Sequence, residues 1–249
     1  MNKAILITVR TNSTRLPQKA LLKIKDKTTI EYLIERVKQS KLADIIILCT
    51  TQLSEDDILC EIATKHSIKY YRGSELDKLE RWKGACDEFK VDFFVTADGD
   101  DLFCDPKLID LAFNQCINNN VDFIKASKII CGAFSYSSLY QVCKIKDTND
   151  TEMMWPYFED TKLFNIQQLE GVPKEYFRSD IRMTLDYEDD LKFFTNIIHY
   201  FNGKMFGLMD IISYINNRPD IAKINLYLEE QWSINQKENI NLKIKENNG

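Results

Sequence analysis

The sequence predicts an α/β fold built on a largely parallel sheet, with helices between the strands. Three observations carry that expectation. Short β-rich runs alternate with helical patterns through the first half, which is the mark of βαβ units. The chain has 249 residues, 44 % of them hydrophobic, enough to bury the core of one large domain or of a domain with an appended arm. No internal repeat competes with this reading.

Taken in order, the strands fall over 4–9, 44–50, 68–71, 93–97 and 123–126, with helices between them. Ile30, Leu33, Ile34 and Val37 share one helical face over 29–38, and Thr28 or Thr29 can cap its start. Ser54 reads as a second cap, with Glu55, Asp56 and Asp57 in the first turn where the helix dipole favours negative charge. Asp105 and Pro106 open a third helix that stops at Asn118, Asn119 and Asn120. After Ser127 the rhythm breaks, and 127–180 reads as an inserted arm or lid. Helical patterning returns from Leu191 through Phe193, Phe194, Ile197, Ile198 and Phe201, then from Met209 to Ile215. The expectation is a single domain over 1–236 and a polar tail over 237–249, rich in Asn and Lys and frayed.

Charge and composition exclude several classes. A formal net charge of -5 and a pI near 5.3 argue against general nucleic-acid binding, so any phosphate ligand has to be held by a local cluster of cations. No apolar stretch approaches the roughly 18 to 20 residues that span a bilayer, and the opening apolar run is too short for a signal-peptide core. The expected location is cytoplasmic, with no membrane partner. Cys49, Cys60, Cys86, Cys104, Cys116, Cys131 and Cys143 show no C-x-x-C spacing, and there are only two histidines. That pattern fits reduced, mostly buried thiols rather than a zinc site.

Three segments carry chemistry. The first strand runs into Val9-Arg10-Thr11-Asn12-Ser13-Thr14-Arg15-Leu16-Pro17-Gln18-Lys19. Its three cations and small polar residues suit a triphosphate, because guanidinium groups pair bidentately with phosphate and lysine supplies a point charge. Basic loops are often only solvated, but this one leaves the carboxyl end of a buried-looking strand, where open α/β sheets bind ligands. The second segment, Asp98-Gly99-Asp100-Asp101 after Phe93-Phe94-Val95, clusters carboxylates that suit Mg²⁺. The alternative is a solvated acidic turn in which Asp101 or Asp105 caps the next helix. The third, Arg182-Met183-Thr184-Leu185-Asp186, ends an apolar alternation on an acid that could reach the same metal. Taken alone it is weak, because Glu188, Asp189 and Asp190 suit a helix first turn.

The 9–19 loop resembles the A-R-x-G-S-x-R-L-P-x-K loop of the CMP-Kdo synthetase-like cytidylyltransferases, nearest their spore coat polysaccharide biosynthesis branch. The likeness continues through Tyr71-Arg72-Gly73-Ser74-Glu75 with Leu79 and Arg81, through Asp98-Gly99-Asp100 to Asp105-Pro106, through Arg182 to Asp186 with Asp190-Leu191, and through Asn217-Arg218-Pro219-Asp220-Ile221-Ala222-Lys223-Ile224-Asn225. The resemblance implies a Rossmann-like GT-A nucleotidyltransferase sandwich, a mostly parallel mixed sheet flanked by helices with an inserted arm, that transfers CMP from CTP to a sugar acid, sugar phosphate or related acceptor. It implies that Val9, Arg10, Asn12, Ser13, Arg15 and Lys19 face the nucleotide, with Arg72, Gly73, Ser74, Arg81 and Asp98 near it. Arg10, Arg15, Lys19 and Asp100 are then the catalytic candidates, Asp100 and Asp186 the Mg²⁺ ligands, and a homodimer through the inserted arm the expected assembly.

The chain also departs from the family pattern. Asn12 stands where the family has glycine, a change tolerated because Asn enters the left-handed region more readily than most residues. On the acceptor side Gly132-Ala133-Phe134-Ser135-Tyr136-Ser137 replaces an acidic segment, and Glu152-Met153-Met154-Trp155-Pro156-Tyr157 lacks the family's histidine. Glu152, Trp155, Tyr157 and Arg182 are the candidate acceptor contacts, though the aromatics equally suit packing in an arm or a dimer seam. Two other functions share these motifs. One is a GT-A glycosyltransferase using a nucleotide sugar, which leaves Arg10, Arg15 and Lys19 unexplained. The other is an inactive relative that only binds nucleotide.

Overall fold

The computed structural model describes residues 1–126, 132–238, 240 and 242–245. Cys131, the first part of the 127–180 segment and most of the end of the tail lie outside the described residues. The order begins with β1 (Lys3–Thr8), a small hairpin of β2 (Lys23–Ile24) and β3 (Lys27–Thr28), α1 (Thr29–Val37), β4 (Ile45–Thr51), α2 (Asp57–Lys65), β5 (Lys69–Gly73), α3 (Lys78–Phe89) and β6 (Phe93–Asp98). It continues through α4 (Pro106–Asn119), β7 (Phe123–Lys125), β8 (Gly132–Ser135), α5 (Tyr136–Ile145), α6 (Trp155–Glu159) and β9 (Ile166–Gln168). The chain closes with α7 (Glu188–Phe201), α8 (Leu208–Asn217), α9 (Pro219–Ala222) and α10 (Leu228–Glu238).

Seven strands form the main sheet in the order β5-β4-β1-β6-β8-β7-β9. β5, β4, β1 and β6 run parallel, whereas β8 is antiparallel to both β6 and β7, so the sheet is mixed. Ile5 and Ile7 of β1 face a core shared with α1, α4, α7 and α8, and Ala4 and Leu6 face a second core built with α3, α5 and α6. Burial on both faces is why the central strands read as near-continuous apolar runs.

The sheet order places the site. From β1 the chain adds β4 and β5 on one side, then crosses to put β6 on the other, so the reversal lies between β1 and β6. Ligands in open α/β sheets bind outside the carboxyl ends of the strands at such a switch point. The β1/β6 register ends on Thr8 opposite Asp98, so the basic and acidic loops leave the sheet side by side.

The described part of 127–180 is tied into this body. β8 and β9 extend the sheet, and Phe134, which the sequence placed in an acceptor-side segment, is buried in a stack with Phe123 and Trp155. The tail also differs from the expected frayed end. Asp147 N donates to Lys243 O at 2.8 Å, Lys245 N donates to Ile145 O at 2.8 Å, and Ile244 bridges to Lys146. Satisfied backbone groups of this kind hold a terminus that polar composition alone would leave loose.

Candidate active site

The loop after β1 is anchored before it meets any ligand. The buried carboxylate of Asp56 accepts from Thr11 N at 2.8 Å, Thr11 Oγ1 at 2.6 Å, Thr50 Oγ1 at 3.0 Å and Thr51 N at 3.2 Å. Those hydrogen bonds outweigh the effect of burial and hold its carboxyl below the usual carboxylate range. The sequence reads Asp56 as a first-turn acid of α2. Instead it turns inward and pins the loop, a role its spacing did not signal. Farther along, buried Leu16 fixes the loop from beneath, and Gln18 adopts the left-handed conformation at φ 51°. Asn12, expected to take that conformation, is not among the described residues with positive φ.

Across the switch point, Gly99 lets the second loop approach. Gly99 N donates to Thr8 O at 2.8 Å, and a Cβ on Gly99 would sit 2.7 Å from Val9 Cγ2. Only glycine tolerates that approach without displacing a neighbour. Leu185 N donates to Asp100 O at 3.0 Å, which brings the third segment, with Asp186, to the same place. Asp105 accepts from Lys107 N at 2.8 Å and caps α4, as the alternative reading of the acidic turn expects.

The result is a cleft of about 770 Å³, open mouth included, lined by Val9, Arg10, Asn12, Ser13, Arg15, Lys19, Lys78, Arg81, Asp98, Asp100 and Glu152 among others. Five cations face three carboxylates there, on a chain whose net charge is -5. This is the local concentration of positive charge that a polyanion requires. Lys19 Nζ lies 2.8 Å from Asp100 Oδ2 and 2.9 Å from Asp186 Oδ1, and Arg15 Nη2 lies 2.6 Å from Asp186 Oδ1. Burial works against the Lys19 charge, but the two carboxylates outweigh it and hold its pKa above the ordinary lysine value. Burial likewise opposes ionisation of Asp186, and Lys19 and Arg15 outweigh it, keeping that carboxyl low.

On the other wall, Lys78 Nζ is 2.8 Å from Asp98 Oδ2 and 5.1 Å from the Trp82 ring centre. Burial raises the Asp98 pKa despite Lys78, with Asp100 adding to the rise. Glu152 stands at the mouth with Arg10 Nη2 at 3.6 Å; burial would raise its pKa, but Lys78, Arg10 and Arg81 lower it further. Lys78 is a site residue that sequence reasoning missed, since a lysine opening a helix resembles any solvated charge.

Several candidates stand elsewhere. Arg72 donates to Thr51 O, Leu53 O and Asp57, and neither it nor Gly73 nor Ser74 lines the cleft. Their segment orients Arg81, whose Nη1 donates to Ser74 O at 2.6 Å. Arg182 is corrected as an acceptor contact: it is fully buried, pairs with Asp190 and Glu229, and holds Asp186 from behind at 3.4 Å. Tyr157 is corrected too, since it is buried in the core and its hydroxyl donates to Lys243 O. Trp155 packs on Phe123 and Phe134 rather than lining the cleft.

Two carboxylates converge on a single cationic point, now the Lys19 ammonium, and hard oxygen ligands from one or two acids plus phosphates and waters are what Mg²⁺ takes. Among the described residues no group of three or more His, Cys, Asp or Glu could hold a metal ion without such help. The residues therefore fit a metal that arrives with a phosphate ligand.

A switch-point cleft that pairs a cationic loop with converging carboxylates defines a nucleotide-handling α/β enzyme of the nucleotidyltransferase class. A family profile for cytidylyltransferases matches residues 4–191. An uncharacterised protein of Methanocaldococcus jannaschii is 34% identical over 227 residues, covering 88% of this chain and 93% of its own. The spore coat polysaccharide biosynthesis protein SpsF of Bacillus subtilis is 26% identical over 229 residues, covering 87% of this chain and 95% of its own. Among solved structures, a cytidylyltransferase from Leptospira borgpetersenii superposes with a TM-score of 0.81 at 28% identity, over 89% of this chain and 97% of that one. A CMP:2-keto-3-deoxy-manno-octonic acid synthetase complexed with CTP shares the fold, with a TM-score of 0.65 at 12% identity over 80% of this chain and 99% of that one. The chain belongs to the cytidylyltransferase family. Among the described residues no helix is long and apolar enough to cross a membrane.

Proposed function

We propose that the protein transfers CMP from CTP to a sugar acid, sugar phosphate or related acceptor, releasing pyrophosphate, in the making of a surface glycan or glycoconjugate. The observation that carries this reading is the junction of Lys19 with Asp100 and Asp186 beside the β1 exit loop. In this reading Arg10, Ser13, Arg15 and Lys19, which line the cleft, take the triphosphate. With CTP bound, Arg15 and Lys19 would pair with phosphate oxygens in place of their carboxylate partners, and Asp100 and Asp186 would be the residues to hold Mg²⁺. The metal, when bound, neutralises charge on the phosphates under attack. The protein's own part is alignment of the acceptor oxygen with the α-phosphorus and stabilisation of the departing pyrophosphate by cations.

Of the acceptor-contact candidates, Glu152 is the one that lines the cleft, beside Arg10. The family reading also carries a homodimer through residues within 127–180, whose described surface exposes Tyr140 and Leu163; sedimentation would give the mass directly. The decisive assay mixes the protein with each nucleoside triphosphate, Mg²⁺ and a panel of sugar acids, sugar phosphates and polyol phosphates, with products identified by mass spectrometry. A CMP-linked product with pyrophosphate supports the proposal. Release of a nucleoside diphosphate from a nucleotide sugar favours a glycosyltransferase, and tight CTP binding with no turnover favours a nucleotide-binding protein.

A further inference from the structure

One buried polar cluster lies outside the cleft and behind one wall of it. Lys146 Nζ is 2.5 Å from Asp77 Oδ2 and donates to Thr148 O at 3.1 Å. Thr151 Oγ1 donates to Asp77 Oδ1 at 2.8 Å and accepts from Leu79 N at 3.0 Å, while Thr151 N donates to Leu76 O at 3.1 Å. Asp77 Oδ1 also accepts from Glu80 N at 3.2 Å, capping α3. Lys146, Asp77 and Thr151 are all buried.

Such a cluster is a poor source of stability. The cost of taking an ammonium and a carboxylate out of water offsets most of their attraction, and a packed apolar trio would serve the fold as well. What the cluster does is join two segments in one geometry. Asp77 and Leu79 belong to the start of α3, whose first turns deliver Lys78 and Arg81 to the cleft. Thr151 immediately precedes Glu152, which meets Arg10 at the mouth. Both segments therefore take their register from the same hydroxyl.

We infer that the buried cluster of Lys146, Asp77 and Thr151 is a positioning device that sets Lys78, Arg81 and Glu152 in one wall of the cleft, and that the Thr151 hydroxyl is its shared joint. Read with the proposed function, on which this step rests for its kinetic consequence, that wall governs how tightly CTP is held. The wall formed by Lys19, Asp100 and Asp186 is built by other segments and keeps its chemistry.

The test compares Thr151→Val, which keeps the shape and removes the hydroxyl, with Thr151→Ser, which keeps the hydroxyl. Two quantities are read in the full chain: steady-state pyrophosphate release and amide exchange in peptides covering 76–82 and 148–153. Thr151→Val is expected to raise KM for CTP about tenfold with kcat within about threefold, since loss of alignment on a binding wall weakens association more than chemistry. Exchange in both peptides should rise together by about tenfold, and Thr151→Ser should stay near wild type in both. An unchanged KM in Thr151→Val, or faster exchange in only one of the two segments, overturns the inference. If the wild type releases no pyrophosphate from any triphosphate, the proposed function fails on its own, and exchange decides this inference: joint loosening in the Val variant alone supports it, and unchanged exchange overturns it.

Discussion

Lys19, which lines the cleft, and the fully buried Asp186 behind it, 167 residues apart in the chain, meet at 2.9 Å, with Asp100 also on the same ammonium at 2.8 Å. In the proposed function each of these ions takes an alternative partner in a nucleotide bound to a metal. Lys19→Ala is expected to lower turnover by at least about a hundredfold, the scale on which one preorganised charge at a reacting phosphate acts. Asp100→Ala should abolish it. Pyrophosphate release at the wild-type rate from either variant would remove both residues from the chemistry.

Asp56 gives the loop its shape from below. In Asp56→Ala, buried donors of Thr11, Thr50 and Thr51 lose their acceptor, at a cost of about 1 to 3 kcal/mol for each group left unsatisfied. Chemical denaturation should show a loss of about 3 kcal/mol or more. CTP affinity measured by calorimetry should fall while the protein is still folded.

Arg182 separates a supporting role from an acceptor-binding one. It is fully buried among Asp186, Asp190 and Glu229, with the Trp232 ring centre 5.4 Å from its guanidinium carbon. Removing one member of a buried ionic group costs about 3 to 5 kcal/mol. Arg182→Ala should therefore lower the unfolding midpoint sharply. A stable variant altered only in acceptor KM would restore the reading that the sequence suggests.

Acid stability has a definite sign at Glu31. Burial raises its pKa, but hydrogen bonds from Lys65, Thr28 and His66 outweigh that and bring it down to about 2. A carboxylate with a depressed folded-state pKa adds stability above its unfolded value near 4.5, and that contribution is lost as pH falls toward 2. The exposed Lys65 partner weakens the effect. Glu31→Gln should lose about 1 to 2 kcal/mol at pH 7, and its unfolding curve should approach wild type near pH 2.

The parallel half of the sheet was legible because its strands are buried on both faces and bounded by helix signals, so β1, β4, β5 and β6 fall within two residues of their expected limits. β8 was not. Gly132-Ala133-Phe134-Ser135 is too short to show a period, and it becomes a strand through partners as distant as Phe94 and Phe123. The cationic loop and the acidic turns stood out by composition. Asp56 did not, because an aspartate in a helix first turn already has a sufficient local explanation, and only the fold reveals Thr11 above it. Arg182 was misplaced for the related reason that a motif gives order along the chain and not the direction of a side chain.

In the proposed function Asp100 and Asp186 bind a divalent cation together with a nucleotide cradled by the β1 exit loop. Crystals soaked with CTP and Mn²⁺, a stand-in for Mg²⁺ with strong anomalous scattering, test it directly. The expected result is an anomalous peak within bonding distance of both carboxylates, with Arg15 and Lys19 turned onto phosphate oxygens. A nucleotide bound with Lys19 still bridging the two aspartates, or a metal peak away from them, would contradict it.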